Sequence, residues 1–430
     1  MRYLKALVPK VHETARSLLL TPKMKSTLPI LSALLTGANA ATLQGPALPT
    51  GWTRSQAQST DTVRVIVSLK QRNLDQLPAI ISSVSDPRSA KYGEHLTTAQ
   101  MDALTAPTSE AFDAVEGWLS GNGVRTVNVM RSAAAVEARM SVADAAAMFS
   151  TKFYNVKSLT TGQSKIRAHG AYTVPSSVEA HVDNVLGLHG LPLPLRETPI
   201  STAAPAEVIP SVIVKQYGIA GVTPSGSTTN RQAVAEFQGQ TMNHSDLSAF
   251  FKEYLPKATT DDAKVYATHG EPKEGDGIEA ILDIEYIMGV SPGIKTEFFE
   301  QMNNDFGADL LAWTGLLLGA DAGVNVHSIS YGWQGDLAQI GVKAADVTTI
   351  DANFQKLAAK GVSIIFASGD SGSGFAPPHP PAPARCPPSP GTAGIAYEGT
   401  LIRNSTFERE WSMHFCDLFL SLSLSLSATG

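Results

Sequence analysis

The chain has 430 residues, and at roughly 100 to 200 residues per domain we expect two or three domains. Hydrophobic residues make up 43% and charged residues 17%, a composition typical of globular proteins and not of disordered chains. The net charge of −6 comes without a basic stripe, which argues against nucleic acid as a partner. Both cysteines, Cys386 and Cys416, lie late in the chain, so any disulfide is confined to the C-terminal region.

A signal-peptide pattern begins at Met24, with a basic residue, an apolar stretch over 28–35 and small residues up to Ala40. The stretch is shorter than the ~20 residues of a membrane-spanning helix. We therefore expect a cleaved signal peptide over 24–40 and no membrane anchor; a buried helix start is the alternative. Residues 1–23 lack the pattern, and we interpret them as an extension from a start codon chosen in error.

Residues 60–190 predict a small α+β domain. The segment Val63–Leu69 alternates apolar and polar residues, as a half-buried strand does. Helical patterns follow over 74–84, 108–121 and 143–149. A proline-rich stretch over 191–210 is then typical of a linker.

Residues 205–412 predict a second, α/β domain. Apolar strands are predicted over 232–237, 324–330 and 362–368, and helices over 245–254, 277–289 and 346–360. Strands and helices that alternate at this spacing indicate a parallel sheet with right-handed crossovers.

The tail over 413–430 contains a run of alternating leucine and serine that ends at Ser427. Period alone would allow a strand, but a CT repeat in DNA translates as Leu-Ser in every frame. We interpret these residues as a non-authentic tail, with the true reading frame leaving near Ser412. A cDNA that runs continuously into the repeat would refute this interpretation.

Two carboxylates in the apolar helix over 277–289 form the first candidate site. Glu279 and Asp283 are four positions apart, so their side chains share one helix face with Cβ atoms about 5 to 6 Å apart. If the helix is buried, both cannot ionise cheaply, and we expect one to hold a proton in acid. The alternative is an ordinary acidic pair that faces water.

Asp370 is the second candidate. It follows the strand over 362–368 in a glycine turn, so it lies at a carboxyl end of the sheet, where open α/β sheets bind ligands. Aspartate is also common in turns for purely local reasons, and that interpretation stays open from this residue alone.

These motifs together resemble the sedolisin family of serine-carboxyl peptidases. The Glu-x-x-x-Asp helix, the strand end Ser330–Gly332 and the Ala-Ser-Gly-Asp-Ser-Gly turn over 367–372 follow the order of that family's catalytic domain. Residues 85–96 and 181–189 are similar to its activation domain. The resemblance implies a subtilisin-like parallel-sheet α/β catalytic domain, C-terminally truncated here, preceded by a ferredoxin-like α+β activation prodomain.

The resemblance also implies roles for these residues. Glu279 would be the general base, Asp283 would orient it and share its proton, and Asp370 would be the oxyanion-hole acid. Ser330, Tyr331 and Gly332 would bind the substrate backbone as an added strand does. An acidic pH optimum follows, because Asp370 can donate a hydrogen bond only while it is protonated.

Three features depart from the family pattern. No Ser-Gly-Thr-Ser-Ala-Ser-like segment exists in the chain, so no nucleophile is assigned. Calcium is expected for the family, but its ligand segment is absent too, and no metal ligands are assigned. Glu285 stands where glutamine is expected. Cys386 resembles a family cysteine, and a buried inert thiol is the alternative.

We therefore expect a secreted acid peptidase, made as a zymogen, that removes tripeptides from the N-termini of peptides. Its partners would be peptide or unfolded protein substrates and its own prodomain as an intramolecular inhibitor, in a lysosomal, vacuolar or extracellular location. The alternatives are an acid endopeptidase of the same family and an inactive homologue that acts only by binding. Asn243 and Asn404 begin glycosylation sequons. His189, His244 and His327 show no zinc-ligand spacing, and we interpret them as structural or solvated.

Overall fold

The computed structural model describes residues 41–193, 208–219, 229–270, 273–301, 303–320, 324–333 and 337–367. All of them belong to one compact unit of the chain, Asn39–Gly430. The predicted signal peptide, most of the predicted linker, Asp370, Asn404, both cysteines and the Leu-Ser tail lie outside these ranges.

The N-terminal domain spans residues 41–193 and contains nine strands and five α-helices within the described residues. Its strands are β1 (Ala41–Leu43), β2 (Trp52–Gln56), β3 (Thr62–Leu69), β4 (Thr126–Met130), β5 (Ala135–Ser141), β6 (Phe153–Ser158), β7 (Ser164–Ala168), β8 (Tyr172–Val174) and β9 (Val182–Leu186). Its helices are α1 (Leu77–Ser85), α2 (Thr98–Thr105), α3 (Ser109–Gly121), α4 (Val142–Met148) and α5 (Ser176–Glu179).

The main sheet of this domain has the antiparallel order β4-β5-β3-β9. With α1 to α3 between β3 and β4, and α4 between β5 and β9, this is the βαββαβ order of a ferredoxin-like fold. The predicted fold class is therefore confirmed for this domain. Strands β2, β6 and β7 form a second sheet, and β1 pairs with β8.

The C-terminal domain spans the described residues from 208 to 367 and is built on a parallel sheet. Its strands are β10 (Arg231–Glu236), β11 (Ala267–Gly270), β12 (Lys295–Glu300), β13 (Val326–Ile329) and β14 (Ser363–Phe366). Its helices are α6 (Pro210–Gln216), α7 (His244–Tyr254), α8 (Ile278–Val290), α9 (Phe306–Gly319) and α10 (Ala344–Ala359). The strand order is β11-β12-β10-β13-β14, and every described pairing in this sheet is parallel, which confirms the predicted α/β class.

Helices cover both faces of the parallel sheet. Val234 and Phe298 pack against α7 and α8, whereas the alternate residues Ala235 and Phe299 pack against α9 and α10. Successive side chains of a strand point to opposite faces, so each strand has an almost continuous apolar sequence. That is the pattern expected of a buried parallel sheet.

The two domains share one apolar cluster. Ile66 of β3 and Ala135 of β5 pack with Leu311 and Trp313 of α9, while Val65 and the other inward residues of β3 pack on the helices of their own domain. The prediction that β3 is only half-buried is therefore wrong, because α9 covers its second face.

Helix α9 is absent from the sequence prediction. Twelve of its residues are buried, among them Asp309 and Thr314, because α9 lies between the parallel sheet and the N-terminal domain. A helix buried on nearly all sides has no polar stripe, so it lacks the 3.6-residue alternation that marks amphipathic helices. Within the described residues, no helix has the length and apolar character needed to cross a membrane.

Candidate active site

The carboxyl ends of the parallel strands meet at one edge of the sheet, and Ser330–Gly332 and the first turn of α8 lie at that edge. β10 ends at Glu236, β12 at Glu300 and β13 at Ile329. The next residues after β13 are Ser330–Gly332. Ligands of open α/β sheets bind at this edge, so the topology places the candidate segments in a suitable location.

Helix α8 starts at the same edge because the segment after β10 holds its first turn. The Gly277 N–H donates to the Thr241 carbonyl oxygen at 3.0 Å, and the Glu279 N–H donates to Gln240 Oε1 at 3.2 Å. A Cβ at position 277 would lie 2.5 Å from the Thr241 nitrogen. Only glycine allows this close approach, so Gly277 fixes where α8 begins.

Glu279 and Asp283 lie one turn apart on α8, as predicted. Glu279 is in the first turn, where the positive end of the helix dipole favours an ionised carboxylate. Both side chains are half-buried, and Asp283 Oδ2 is fully buried. Their roles in catalysis stay predictions.

Helix α8 is apolar in sequence but is not buried on all sides. Ala280, Ile284 and Met288 are buried against the sheet and α7, but Ile278 is 79% and Leu282 is 49% exposed. The helix therefore has one covered and one open side, and Glu279 and Asp283 lie between them.

A cavity of about 420 Å³ opens beside Asp283. Apolar side chains of α8 form one wall, and polar side chains of the sheet form the other. It is lined by Gln232, Leu282, Asp283, Tyr286, Ile287, Val290, Ser291 and Ser328.

Tyr331 is an anchor at the end of β13. Its ring is 8% exposed, and its hydroxyl donates to the Phe237 carbonyl oxygen at 2.9 Å. The rings of Phe237 and Tyr331 meet edge-on at 5.5 Å between centroids. Ser330 and Gly332 on either side are half-buried, so the backbone of the predicted substrate-binding segment is held by a buried aromatic side chain.

Two buried carboxylates at this edge were missed by sequence reasoning. Glu236 is 0% and Glu300 is 1% exposed, and they are register partners at the ends of β10 and β12. Each lies two positions after a residue of the apolar face, Val234 or Phe298, and therefore on the same face of the sheet, which α8 covers. The Lys273 N–H donates to Glu300 Oε2 at 3.0 Å. An acidic residue that ends an apolar strand could have indicated them.

Glu285 lies on another side of α8 from the candidate pair. Burial raises its pKa to about 7, and the neighbouring negative charge of Asp246 adds to the effect. Glu285 therefore holds a proton more readily than an ordinary glutamate.

The remaining predicted residues have local structural contacts. Asn243 caps α7 by accepting from the Ser245 N–H at 2.9 Å, and it donates to Asp276 Oδ1 at 3.2 Å. His244 pairs with Glu274, and His327 is fully buried. Glycosylation at Asn243 stays a prediction. Among the described residues, no group of three or more His, Cys, Asp or Glu is arranged to hold a metal ion.

Asp370 and Asn404 lie outside the described residues. The Ala367 N–H donates to the Ile329 carbonyl oxygen at 2.9 Å, so the chain leaves β14 directly beside the end of β13.

Comparisons with known proteins agree with this architecture. The model of the family described as "Pro-kumamolisin, activation domain" matches residues 50–191. The chain is 32% identical over 342 residues to tripeptidyl-peptidase 1 of Canis lupus familiaris. The aligned region covers 76% of this chain and 59% of the relative. The proteins of the same name from Mus musculus and Homo sapiens are each 30% identical over 342 residues, with the same coverage.

The chain thus spans about three-fifths of the length of these relatives. The N-terminal match, the extended similarity to tripeptidyl-peptidase 1 and the parallel-sheet domain with its carboxylate-bearing helix give one consistent assignment. These findings support the resemblance of the chain to the sedolisin family of peptidases.

Proposed function

We propose that this chain is part of an acid-acting, serine-type tripeptidyl-peptidase that is made as a zymogen in the secretory pathway. One observation carries the proposal. Glu279 and Asp283 share a face of α8, and the first turn of this helix lies at the carboxyl edge of the parallel sheet, where β13 continues into Ser330–Gly332. The similarity to tripeptidyl-peptidase 1 suggests the reaction class.

In this proposal, Glu279 takes the proton of a nucleophilic serine and Asp283 orients Glu279 and shares its proton. A carboxylate in the first turn of a helix is favoured in its ionised form, which suits a base that must work at low pH. No serine of this chain is assigned as the nucleophile.

Asp370 completes the proposal as the acid of the oxyanion hole. A protonated carboxyl group can donate a hydrogen bond to the negative charge that develops on the substrate carbonyl oxygen. This role requires a pH low enough to keep Asp370 neutral, so activity is expected to fall as the pH rises.

Ser330–Gly332 are proposed to bind the substrate by backbone hydrogen bonds, as an added strand does. The hydrogen bond from Tyr331 to Phe237 supports this role, because it fixes the backbone before substrate arrives. A fixed backbone loses little conformational entropy on binding.

The N-terminal domain is proposed to act as an intramolecular inhibitor until the linker over 191–210 is cut. Two ion pairs between the domains support this. Arg64 lies 2.9 Å from Asp309, and Arg167 lies 2.9 Å from Asp305. The location is proposed to be lysosomal, vacuolar or extracellular. Calcium binding stays a prediction from the family resemblance.

The test uses protein expressed from the full-length cDNA, acidified and given a peptide with a free N-terminus. We expect successive tripeptides by mass spectrometry, and no cleavage of the same peptide after N-terminal acetylation. Internal cleavage of the acetylated peptide would support the endopeptidase alternative instead. No cleavage of either peptide after the linker has been cut would favour a binding protein without activity.

A further inference from the structure

His189 lies at the junction of the two domains. Its side chain is 5% exposed. Two residues later, the Leu191 N–H donates to the Ile340 carbonyl oxygen of the C-terminal domain at 2.8 Å. The carbonyl oxygen of Gly190 accepts from Arg167 Nε at 2.6 Å. A change at His189 therefore acts directly on the contact between the domains.

The pocket of His189 fits a neutral ring. Nε2 lies 3.0 Å from the Gly170 carbonyl oxygen, and because a carbonyl only accepts, Nε2 carries the hydrogen. Nδ1 is buried and has no hydrogen-bond partner among the described residues. The ring of Tyr172 lies 5.7 Å away between centroids, and a Cβ at Gly45 would lie 2.1 Å from Nε2. The ring therefore has little room to move.

A cavity of about 10 Å³ adjoins His189, and both domains line it. That is the space of about one water molecule. His189 and Gly190 come from the N-terminal domain, whereas Asp305, Lys343 and Asp346 come from the C-terminal domain.

The charged groups around His189 already have partners. Arg167 of β7 pairs with Asp305 at 2.9 Å, and Lys343 pairs with Asp346 at 3.5 Å. The positive charges of Lys343, Arg167 and His169 all disfavour a proton on His189. A protonated His189 would add a positive charge beside two cations whose carboxylates are engaged.

We propose that His189 is an acid sensor whose protonation weakens the contact between the N-terminal and C-terminal domains. The inference rests on the proposed function, because a zymogen of an acid peptidase needs a signal for the compartment where its prodomain must leave. The buried Nδ1, the shared cavity and the flanking cations carry the argument.

Burial lowers the pKa of His189 to about 4. A histidine that is exposed when the domains separate has a pKa near 6.5. As the pH falls from 6.5 towards 4, the separated form therefore takes up a proton that the closed form does not. Linkage then shifts the equilibrium towards separation by roughly 30-fold at pH 5, if the ring becomes fully exposed.

Protonation of Asp309 has the opposite effect on the contact between the domains. Burial raises its pKa to about 6, so acid favours the closed form through this group, by roughly tenfold at pH 5. Burial also raises the pKa of Asp183 and Asp346 at the same contact. The contribution of His189 must therefore be measured as a difference between variants.

The experiment is hydrogen exchange of the full chain at pH 7 and pH 5, corrected for the intrinsic pH dependence of exchange. Between pH 7 and pH 5, we expect the peptide over 186–193, which includes the Leu191 amide, to lose more protection in the wild type than in His189→Gln, by up to roughly 30-fold. His189→Gln keeps a donor for Gly170 but cannot take a proton, and we expect it to lose this acid response. His181→Gln, in the same domain, is the matched control and should keep the response.

The same acid response in the wild type and in His189→Gln would overturn the proposal. If that variant does not fold, the imidazole of His189 is titrated by NMR in the wild-type chain. A pKa well below 6.5 supports the proposal, and a pKa of 6 or above overturns it. Neither measurement needs turnover, so a failure of the proposed peptidase activity would be seen separately.

Discussion

Arg64 Nη1 lies 2.9 Å from Asp309 Oδ1, and this ion pair joins β3 of the N-terminal domain to α9 of the C-terminal domain. The two side chains are 13% and 1% exposed. Arg64 Nε also donates to Glu137 Oε1 at 2.8 Å. A buried charge is costly without its partner, so this cluster makes the domain contact sensitive to single substitutions.

Arg64→Met should lower the free energy of unfolding of the full chain by about 3 to 5 kcal/mol, because it removes the nearest cation from two buried carboxylates, Glu137 and Asp309. The measurement is urea unfolding at pH 7. Arg88→Met is the control, since Arg88 and Asp86 form an exposed pair and such pairs contribute about 0 to 1 kcal/mol. A loss below about 1 kcal/mol in Arg64→Met would contradict the structural role of the pair.

Asp309→Asn should change the pH dependence of stability. Burial raises the pKa of Asp309 to about 6 and outweighs the attraction of Arg64, so the folded protein binds a proton that the unfolded chain releases. This contribution is full below pH 3.8 and is lost as the pH rises through 6. As the pH falls from 6 to 4, the free energy of unfolding of the wild type should rise by about 1 kcal/mol per pH unit relative to Asp309→Asn. The measurement is urea unfolding. A flat difference would refute the assignment.

Glu279→Gln and Asp283→Asn should each reduce kcat by about 10² to 10⁴, the range for loss of a general base or its partner. The assay is tripeptide release by protein expressed from the full-length cDNA. Glu285→Gln is the matched control on the same helix and should keep most of the activity, although burial raises the pKa of Glu285 to about 7. Full activity in either active-site variant would break the assignment.

Lys356→Met should change the pH dependence of stability, because Lys356 is a buried lysine at the domain contact. Lys356 is 0% exposed, its Nζ donates to Gln71 Oε1 and to the Ser132 carbonyl oxygen at 2.7 Å each, and burial lowers its pKa to about 7. The cost of its buried charge is full below pH 7 and is relieved as the pH rises towards 10.5. As the pH rises above 7, the free energy of unfolding of the wild type should therefore rise by about 1 kcal/mol per pH unit relative to Lys356→Met. The measurement is urea unfolding.

The control for this prediction is Lys91→Met, because Lys91 is exposed. Its stability difference from the wild type should not change between pH 7 and pH 9. The same flat profile in Lys356→Met would show that Lys356 is not buried as a titrating group.

Gly270→Ala should destabilise the chain by several kcal/mol. Gly270 has a φ of 95°, and a Cβ there would lie 1.9 Å from the Glu300 carbonyl oxygen. Gly51→Ala is the control, because Gly51 has a φ of 88° but open space around a Cβ, so it carries only the backbone strain of about 1 to 2 kcal/mol. Thermal unfolding should separate the two variants, and equal losses would contradict the predicted clash.

Much of the fold could be predicted from local patterns. The helix expected over 346–360 is α10, at Ala344–Ala359, and the strand expected over 232–237 is β10, at Arg231–Glu236. Both carry a signal within a single window of sequence. Helix α9 and strand β12 carry none, because their burial on several sides removes the alternation between polar and apolar residues.

The candidate site could likewise be predicted only in part from the sequence. The spacing of Glu279 and Asp283 fixed their common face, because that depends only on helix geometry. Glu236 and Glu300 were missed because they are 64 positions apart in sequence and meet only through the parallel pairing of β10 and β12.

The sequence by itself determined the family resemblance, the order of the domains and the Glu279–Asp283 pair, since each is read from short segments of the chain and their order. Only the tertiary structure decided that α8 is open on one side, that β3 is buried on both faces and that Arg64 meets Asp309. These facts depend on contacts between residues far apart in sequence. Burial, which sets the pKa of His189 and Asp309, exists only once the two domains are packed together.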